Sequence, residues 1–266
     1  GYNAILLESK ALGSCQTVAS QGMVHGGIKY TLSGALTGAS EAIADMPDHW
    51  RACLKGEGDV DLRGAKTLSD HFYLWSTSSL SSRFGGFIAS KATRGRVEKV
   101  KKSELPTLFA NEKFSGKLYR LVDMVMDTPS VLNALANNFK ERIFQIDWST
   151  CHWQKTSTGE HSFTVATSGD PIEIAAGAFI FSAGKGNQPL LDAVGATAPK
   201  MQLRPLHQVM VKHQCGERFF GHCVTTDKTP RLTISSHPLT DGSQVWYLGG
   251  SLAEKGVEQT ADQLIA

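Results

Sequence analysis

Residues 17–30 read T-V-A-S-Q-G-M-V-H-G-G-I-K-Y and combine three glycines with polar side chains. Such glycines allow main-chain amides to approach a planar or anionic ligand closely, because no Cβ stands in the way. Ser20 and Gln21 add hydrogen-bonding groups for phosphate or ring oxygen atoms. The stretch is too polar for a core helix and predicts a ligand-contacting loop beside a sheet.

A short strand is predicted upstream of this loop. Residues 4–7 form an apolar run, which is typical of a strand buried on both faces of a parallel sheet. Glu8 follows the run directly. In dinucleotide-binding folds an acidic residue at the carboxyl end of a strand accepts hydrogen bonds from ribose hydroxyls. An exposed Glu8 that simply ends the strand fits the position equally well.

Helices and a second strand–glycine turn are predicted further along the chain. Asp127 before Thr128 and Pro129 predicts a helix start, and the apolar spacing continues to residue 143. Residues 40–54 also predict a helix, in which Pro47 should mark a break or kink. Residues 177–184 predict a second buried strand that enters a glycine turn before a short helix.

Strand patterns dominate the remainder. The predicted strands cover residues 143–148, 163–167, 208–212, 231–235 and 244–248. Asp170-Pro171 predicts a turn, and residues 240–243 predict a hairpin between the last two strands. The order of elements predicts an α/β nucleotide-binding domain that is interrupted by a mainly antiparallel second domain.

Composition narrows the classes of partner. The 266 residues are 41% hydrophobic and 20% charged, with a formal net charge of +2, which argues against nucleic acid as the main partner. No apolar run approaches the roughly 20 residues of a transmembrane helix. Five scattered cysteines without a C-x-x-C motif predict reduced thiols and a cytoplasmic location. The spacing of Cys215, His222 and Cys223 matches no common metal motif, so no metal site is expected.

The glycine-containing loop resembles the flavin-contacting loop of the D-amino-acid oxidase superfamily. Glycerol-3-phosphate dehydrogenases and L-2-hydroxyglutarate dehydrogenases carry similar S-x-x-x-x-H-G-G-I-x-Y or H-A-G versions. The strand, Glu8 and the loop follow the order and spacing of that family. The resemblance continues over residues 127–136, 179–186 and 204–250, and is loose over residues 45–120. The family's first phosphate turn and last flavin-contacting glycine loop are not in this sequence, so we expect both ends to be cut from a longer chain.

The resemblance implies a fold and a domain plan. We expect an α/β fold in which an FAD/NAD(P)-binding Rossmann-like domain is interleaved with a mainly antiparallel α+β substrate domain. The FAD-binding domain would comprise residues 1–45 and 120–200. The substrate or cap domain would comprise residues 46–119 and 201–255, and residues 256–266 would start a truncated helix.

The resemblance also implies FAD as cofactor and a small-molecule substrate. The expected enzyme is an oxidoreductase, either dehydrogenase or oxidase, that removes a hydride from a C–H bond next to a hydroxyl or amine of a small polar molecule. Hydroxy acids and polyol phosphates are favoured over amines, because the loop is most similar to those branches. An NAD(P)-linked reductase on a similar fold and a non-catalytic flavin-fold domain stay open, as do the electron acceptor and a peripheral membrane contact.

Site residues are carried over from the family position by position. The residues expected to contact FAD are Glu8, Ser9, Thr17, Ser20, Gln21, Gly22, Met23, His25, Gly26, Gly27, Ala183, Gly184 and Gly186. Some relatives bond a histidine like His25 covalently to the flavin 8α carbon, but a non-covalent histidine that shapes the pocket is the favoured interpretation.

Three further residues are candidates for the substrate pocket and for catalysis. Arg231 and Tyr247 offer a cation and a phenol for a substrate carboxylate, and His237 could accept a proton. Strand parity leaves open whether Arg231 and Tyr247 point away from the pocket, as a surface arginine and a core tyrosine would.

Overall fold

The computed structural model describes residues 2–27, 42–76, 97–155, 161–225 and 229–265. The chain forms two compact units, one of Gly1–Thr17 with Phe139–Arg204 and the other of Val18–Asn138 with Pro205–Ala266. The expected division into an FAD-binding domain and a substrate or cap domain stays a prediction. Residues 28–30 of the quoted loop lie outside the described residues.

The elements are named in chain order. The strands are β1 (Leu6–Glu8), β2 (Met23–Val24), β3 (Thr67–Ser69), β4 (Phe72–Ser76), β5 (Val97–Lys99), β6 (Lys117–Leu121), β7 (Met124–Met126), β8 (Ile143–Gln145), β9 (Cys151–Lys155), β10 (His161–Val165), β11 (Ile172–Ala175), β12 (Val209–His213), β13 (Phe220–Cys223), β14 (Leu232–Pro238) and β15 (Gln244–Gly249). The α-helices are α1 (Met46–Lys55), α2 (Thr128–Asn138), α3 (Asn187–Ala193), α4 (Ser251–Lys255) and α5 (Ala261–Ile265). Short 3₁₀ turns lie at Lys102–Glu104, Thr107–Phe109, Lys140–Arg142, Trp148–Thr150, Gly184–Gly186 and Gly256–Glu258.

The first unit contains a parallel strand pair and an antiparallel sheet. β1 pairs with β8 in parallel, with Leu6 opposite Ile143, so the predicted parallel strand is confirmed. Its predicted burial is wrong, because Leu6 is 43% exposed. Within the described residues β1 and β8 form a sheet of two strands. β9, β10 and β11 form an antiparallel sheet, and the predicted turn at Asp170-Pro171 joins its last two strands.

Residues 177–184 do not form the predicted strand. The structure shows no regular element over residues 177–183, and Ile180 is 88% exposed. Two of the apolar side chains, Phe179 and Phe181, instead pack edge-on against Trp153 of β9. Their ring centroids lie 5.3 and 5.7 Å from that of Trp153. The expected glycine turn is present, with a positive φ of 55° at Gly184, and leads into α3.

The second unit is layered. Its seven-stranded sheet has the order β12-β15-β14-β13-β4-β6-β5, antiparallel except for the β13–β4 pair. A three-stranded sheet of order β2-β7-β3 packs on one face through Met23 and Val125. α1 and α2 cover the other side of this small sheet, where Cys53 and Val131 are buried with Met124. The predicted mixed α/β fold with a mainly antiparallel second part is confirmed.

Local capping and turn chemistry explain the helix and hairpin boundaries. Asp127 Oδ2 accepts a hydrogen bond from the Ser130 amide at 3.1 Å, which confirms the predicted start of α2. α2 ends at Asn138 and not at residue 143, because Ile143 is needed for pairing with β1. Pro47 lies in the first turn of α1 and not at a kink, a position where the missing amide costs nothing.

The predicted hairpin between β14 and β15 is confirmed, with the Leu239 amide donating to the Ser243 carbonyl at 2.9 Å. All five cysteines lie in described residues and none forms a disulfide. None of the helices in the described ranges is both long enough and apolar enough to cross a membrane.

Candidate active site

The two faces of the seven-stranded sheet carry different side chains. Because side chains alternate along a strand, Thr233, Ser235 and His237 of β14 share one face. Cross-strand pairing adds His222, opposite Thr233, and Tyr247, opposite Ser235. We call this the loop face. The opposite or far face is defined by Trp75, Phe219, Ile234, Trp246 and Leu248.

We call residues 21–27 the glycine loop. Main-chain hydrogen bonds hold this loop against β7. The Met126 amide donates to the Gly22 carbonyl at 2.8 Å. Gly22 has a φ of +67°, and a Cβ there would lie 2.1 Å from the Met126 carbonyl oxygen. Only glycine fits this approach without moving a backbone. The short strand β2 then continues the loop by pairing with β7.

The centre of the glycine loop is joined to a buried carboxylate. Asp123 is fully buried, and its Oδ2 accepts a hydrogen bond from the Gly26 amide at 3.0 Å. The same oxygen lies 3.8 Å from Nδ1 of His25. The His25 ring lies over the loop face, with its centroid 5.4 Å from that of Phe72 and 5.5 Å from that of His222. His222 in turn shares a 2.8 Å hydrogen bond between Nδ1 and Thr233 Oγ1.

The start of the glycine loop reaches the other end of the same face. Gln21 Nε2 donates to the main-chain oxygen of Tyr247 at 3.0 Å. The Tyr247 ring lies against the His237 ring, with centroids 4.1 Å apart. Ser235 Oγ and His237 Nε2 are joined by a 2.9 Å hydrogen bond. The structure therefore brings together three sequence-predicted residues: Gln21, His237 and Tyr247.

Burial changes the proton affinity of the candidate base. Desolvation lowers the pKa of His237 below its ordinary value, and the negative charge of Asp127 partly opposes this. The imidazole is therefore neutral at neutral pH, with Nε2 engaged by Ser235. A neutral imidazole next to a phenol ring can accept a proton from a hydroxyl or an ammonium group.

Arg231 is not placed with the other two substrate candidates. It is exposed and directly precedes β14, whereas His237 lies near the opposite end of that strand. Six residues of extended chain span about 20 Å, so Arg231 and His237 lie at opposite ends of β14. A role for Arg231 in substrate binding stays a prediction. The Arg231 amide instead donates to the Cys223 carbonyl at 2.9 Å.

The first unit holds the remaining candidates at the carboxyl edge of its parallel strands. Glu8 ends β1 and its carboxylate accepts a hydrogen bond from the Lys10 amide at 3.0 Å. An open pocket of about 510 Å³ lies here, lined by Ser9, Gln145, Ile146 and Asp147. Ligands of open α/β sheets bind at this edge. Hydrogen bonds from Ser149 lower the pKa of Asp147, which keeps that exposed carboxylate charged.

The other expected cofactor residues are scattered over both units. In the first unit Thr17 is exposed in a turn, and Ala183, Gly184 and Gly186 form the turn before α3, where the Ala183 amide donates to Asn187 Oδ1 at 2.7 Å. In the second unit Ser20 and Thr128 share a 3.1 Å hydroxyl–hydroxyl hydrogen bond. Met23 packs against the buried apolar cluster that includes Val125 and Phe72, and Gly27 is buried with a φ of +88°.

Sequence reasoning missed four polar residues of this region: Asp123, His222, Thr233 and Ser235. His222 is buried and hydrogen-bonded to Thr233. One signal was available, since Asp123 is a single acidic residue in the apolar run L-V-D-M-V-M. Within the described residues there is no cluster of three or more side chains that could hold a metal ion.

Comparison with known proteins places this geometry in a family context. A probable FAD-dependent oxidoreductase of Pseudomonas aeruginosa is 44% identical over 254 residues, which are 96% of this chain and 63% of that protein. The crystal structure of that oxidoreductase superposes over 100% of this chain and 64% of its own, with a TM-score of 0.80 at 38% identity. The chain thus spans under two thirds of the length of this relative. No protein-family model matches.

More distant solved structures share the fold alone. Glycine oxidase of Geobacillus kaustophilus matches 92% of this chain and 64% of its own with a TM-score of 0.61 at 14% identity. The FAD-bound L-α-glycerophosphate oxidase of Mycoplasma pneumoniae matches the same shares with a TM-score of 0.58 at 14% identity. The resemblance to FAD-dependent oxidoreductases that the loop predicted is confirmed: over the segment that it spans, this chain is similar in sequence and in fold to the Pseudomonas aeruginosa protein. With glycine oxidase and L-α-glycerophosphate oxidase it shares the fold.

Proposed function

We propose that the protein is an FAD-dependent oxidoreductase that removes a hydride from a C–H bond next to a hydroxyl or amine of a small polar substrate. One observation carries the proposal. The glycine loop resembles a flavin-contacting loop, and Gln21 joins it to the sheet that bears His237 and Tyr247. The Gly26 amide of the loop is held by Asp123 on the β6–β7 connection.

The residues present fit FAD in each unit considered by itself. In the first unit, Glu8 and the open pocket beside Ser9 and Gln145 suit a ribose and its base. In the second unit, the main chain of residues 21–27 and the side chain of Gln21 would hold the ring system, with His25 as a non-covalent neighbour. This interpretation of His25 is supported by its packing, because its side chain is only 18% exposed and lies against Phe72 and His222.

When bound, FAD supplies the hydride acceptor. The protein's own groups supply orientation and proton transfer. His237 is neutral because burial lowers its pKa, and its contact with Ser235 fixes the ring. It would take the proton of the substrate hydroxyl or ammonium group, and Tyr247 would form the adjoining wall.

Hydroxy acids and polyol phosphates are the proposed substrates, because the S-x-x-x-x-H-G-G-I-x-Y pattern is most similar to those branches. A glycerophosphate oxidase among the fold relatives is in keeping with this choice, and the glycine oxidase keeps amines as the second class to be tested. A cytoplasmic location is proposed from the five unpaired cysteines.

The test uses the full-length protein that contains this sequence. We expect flavin absorption bands after purification, and bleaching of those bands without oxygen by a 2-hydroxy acid or by glycerol 3-phosphate, with amino acids as the comparison set. Acid precipitation should release the colour into the supernatant. A colourless protein that binds NADH would contradict the proposal.

A matched pair of variants tests the role of His237. His237→Gln should slow bleaching by about 100-fold or more, the usual contribution of a general base, without changing the flavin bands. The control variant is His152→Gln, which changes an exposed histidine of β9 in the first unit. Its flavin should bleach at the wild-type rate. Equal rates in all three proteins would remove His237 from the mechanism.

A further inference from the structure

A buried carboxylate on the β6–β7 connection has no part in the function proposed so far. Asp123 is fully inaccessible to solvent. Taking a carboxylate out of water is costly unless hydrogen-bond donors or a cation face it. Burying a carboxylate within an apolar run lowers the free energy of unfolding unless its contacts compensate. The contacts of Asp123 therefore indicate its role.

Among the described residues, both partners of the Asp123 carboxylate belong to the glycine loop. Oδ2 accepts the Gly26 amide at 3.0 Å and lies 3.8 Å from His25 Nδ1. Oδ1 has no hydrogen-bond partner among the described residues, and it would lie 2.8 Å from a Cβ placed on Gly26. Pro47 at the start of α1 closes the same position from the other side, at 3.2 Å from that Cβ.

The contact joins segments that are distant in the chain. Gly26 and Asp123 are 97 residues apart, and Asp123 directly precedes β7, the strand that pairs with β2 of the loop. The loop thus has a main-chain ladder before His25 and a carboxylate after it. His25 between these two attachments is held over Phe72 and His222 on the loop face.

We propose that Asp123 is a positioning residue that sets the conformation of residues 25–27 and thereby the affinity of the glycine loop for FAD. The inference rests on the proposed function for its ligand. In this role Asp123, whose side chain is inaccessible to solvent, acts through the Gly26 amide and the His25 ring. A carboxylate–amide contact of this kind is stronger than a neutral hydrogen bond.

The first test needs no cofactor. Hydrogen exchange of the Gly26 amide is measured in the apoprotein for wild type, Asp123→Ala and Asp123→Asn, with the Leu74 amide of β4 as the reference for global unfolding. We expect Gly26 exchange to accelerate by about 10-fold or more in Asp123→Ala, as loss of a hydrogen bond to a charged group implies. Asp123→Asn, which keeps an acceptor oxygen, should restore most of the protection, and the change at Leu74 gives the part of each effect that comes from global stability. Equal Gly26 protection in wild type and Asp123→Ala would overturn the inference.

The second test measures FAD affinity by quenching of flavin fluorescence in the full-length protein. Asp123→Ala should raise the Kd for FAD by about 10-fold or more, and Asp123→Asn by less than Asp123→Ala. Asp59→Asn, which removes an exposed carboxylate, serves as the charge control and should leave the Kd unchanged. A wild-type Kd in Asp123→Ala would overturn the inference, since a purely structural residue would lower stability without this graded loss and rescue.

A variant on the other side of the contact keeps the inference testable if Asp123→Ala does not fold. Gly26→Ala places a methyl group against Oδ1 and should raise the Kd for FAD in the same way. Combined with Asp123→Asn, it should cost less than the sum of the two single changes, because both weaken one contact. Strict additivity would contradict the inference. If the wild-type protein binds no FAD at all, the proposed function fails, and the Gly26 exchange result still decides the role of Asp123.

Discussion

The two faces of the seven-stranded sheet differ in what their side chains do. On the far face, Phe219 is stacked on Tyr73 at 5.5 Å and meets Trp75 edge-on at 5.4 Å, with Phe109 closing the cluster. On the loop face, β13 and β14 carry two histidines and two hydroxyls that hydrogen-bond in pairs. On β15 the main-chain oxygen of Tyr247 accepts a hydrogen bond from Gln21 of the glycine loop. The far face is thus lined by packed aromatic rings, whereas the loop face combines buried apolar side chains of β4 and β6 with hydrogen-bonded polar groups of β13 and β14.

Adjacent residues of β14 illustrate the difference most directly. Ser236 is buried on the far face. Its hydroxyl accepts a hydrogen bond from the Phe219 amide at 2.8 Å and donates one to the Phe219 carbonyl at 3.0 Å. Ser235, one residue earlier, is buried on the loop face and bonds His237. A serine hydroxyl thus satisfies backbone groups on the far face at Ser236, and orients a candidate base on the loop face at Ser235.

The largest expected effect is on the far face. Phe219→Ala removes a ring that is 1% exposed, and we expect the free energy of unfolding to fall by about 3–5 kcal/mol because a cavity remains among three aromatic rings. Urea unfolding of the protein measures this change. Phe139→Ala, at an exposed ring, is the control and should cost less than about 0.5 kcal/mol. Comparable losses at the two positions would contradict a dominant far-face core.

The next effect concerns the attachment of the glycine loop. Gly22→Ala should cost about 3 kcal/mol in free energy of unfolding, since strain at positive φ and a clash with the Met126 carbonyl act together. Gly64→Ala provides a matched control, because Gly64 also has a positive φ, of 93°, but its Cβ would meet open space. We expect about 1–2 kcal/mol there. Equal costs would show that the Met126 contact constrains nothing.

A third, intermediate effect separates the two serines. Ser236→Ala leaves the buried Phe219 amide without an acceptor and should lower the free energy of unfolding by about 1–3 kcal/mol, while flavin bleaching by substrate stays at the wild-type rate. Ser235→Ala should cost about 1 kcal/mol in stability and slow bleaching, because His237 loses its orienting partner. Slower bleaching in Ser236→Ala than in Ser235→Ala would reverse the roles assigned to the two faces.

The smallest effect is a pH dependence. Burial lowers the pKa of His237 in the folded protein below its unfolded value near 6.5, so the unfolded state binds the proton more tightly. The associated stability is present above that pH and is lost as the pH falls through the lowered pKa. In His237→Gln the free energy of unfolding should therefore decrease less between neutral and mildly acidic pH. Unfolding curves at several pH values test this, and an unchanged slope would show that His237 is solvated.

Several elements could be predicted because their causes are local. The Asp127 cap of α2 and the glycine turn between β14 and β15 depend on residues within a few positions of each other. The parallel strand β1 was recognisable from a short apolar run, although its partner was not. The strand predicted for residues 177–184 was wrong because an apolar run predicts contacts with other apolar groups but not their kind. Here the contacts are between aromatic rings and not between paired strands.

The sequence alone determined the family resemblance, the mixed α/β class and the loop where a flavin is expected, since these depend on residue types in a fixed order. The tertiary structure decided which side chains meet. It placed His237 and Tyr247 together and Arg231 at the far end of the same strand. It also brought Asp123 to Gly26 across 97 residues. Contacts of this range depend on strand order and face, and both are fixed only when the sheet assembles.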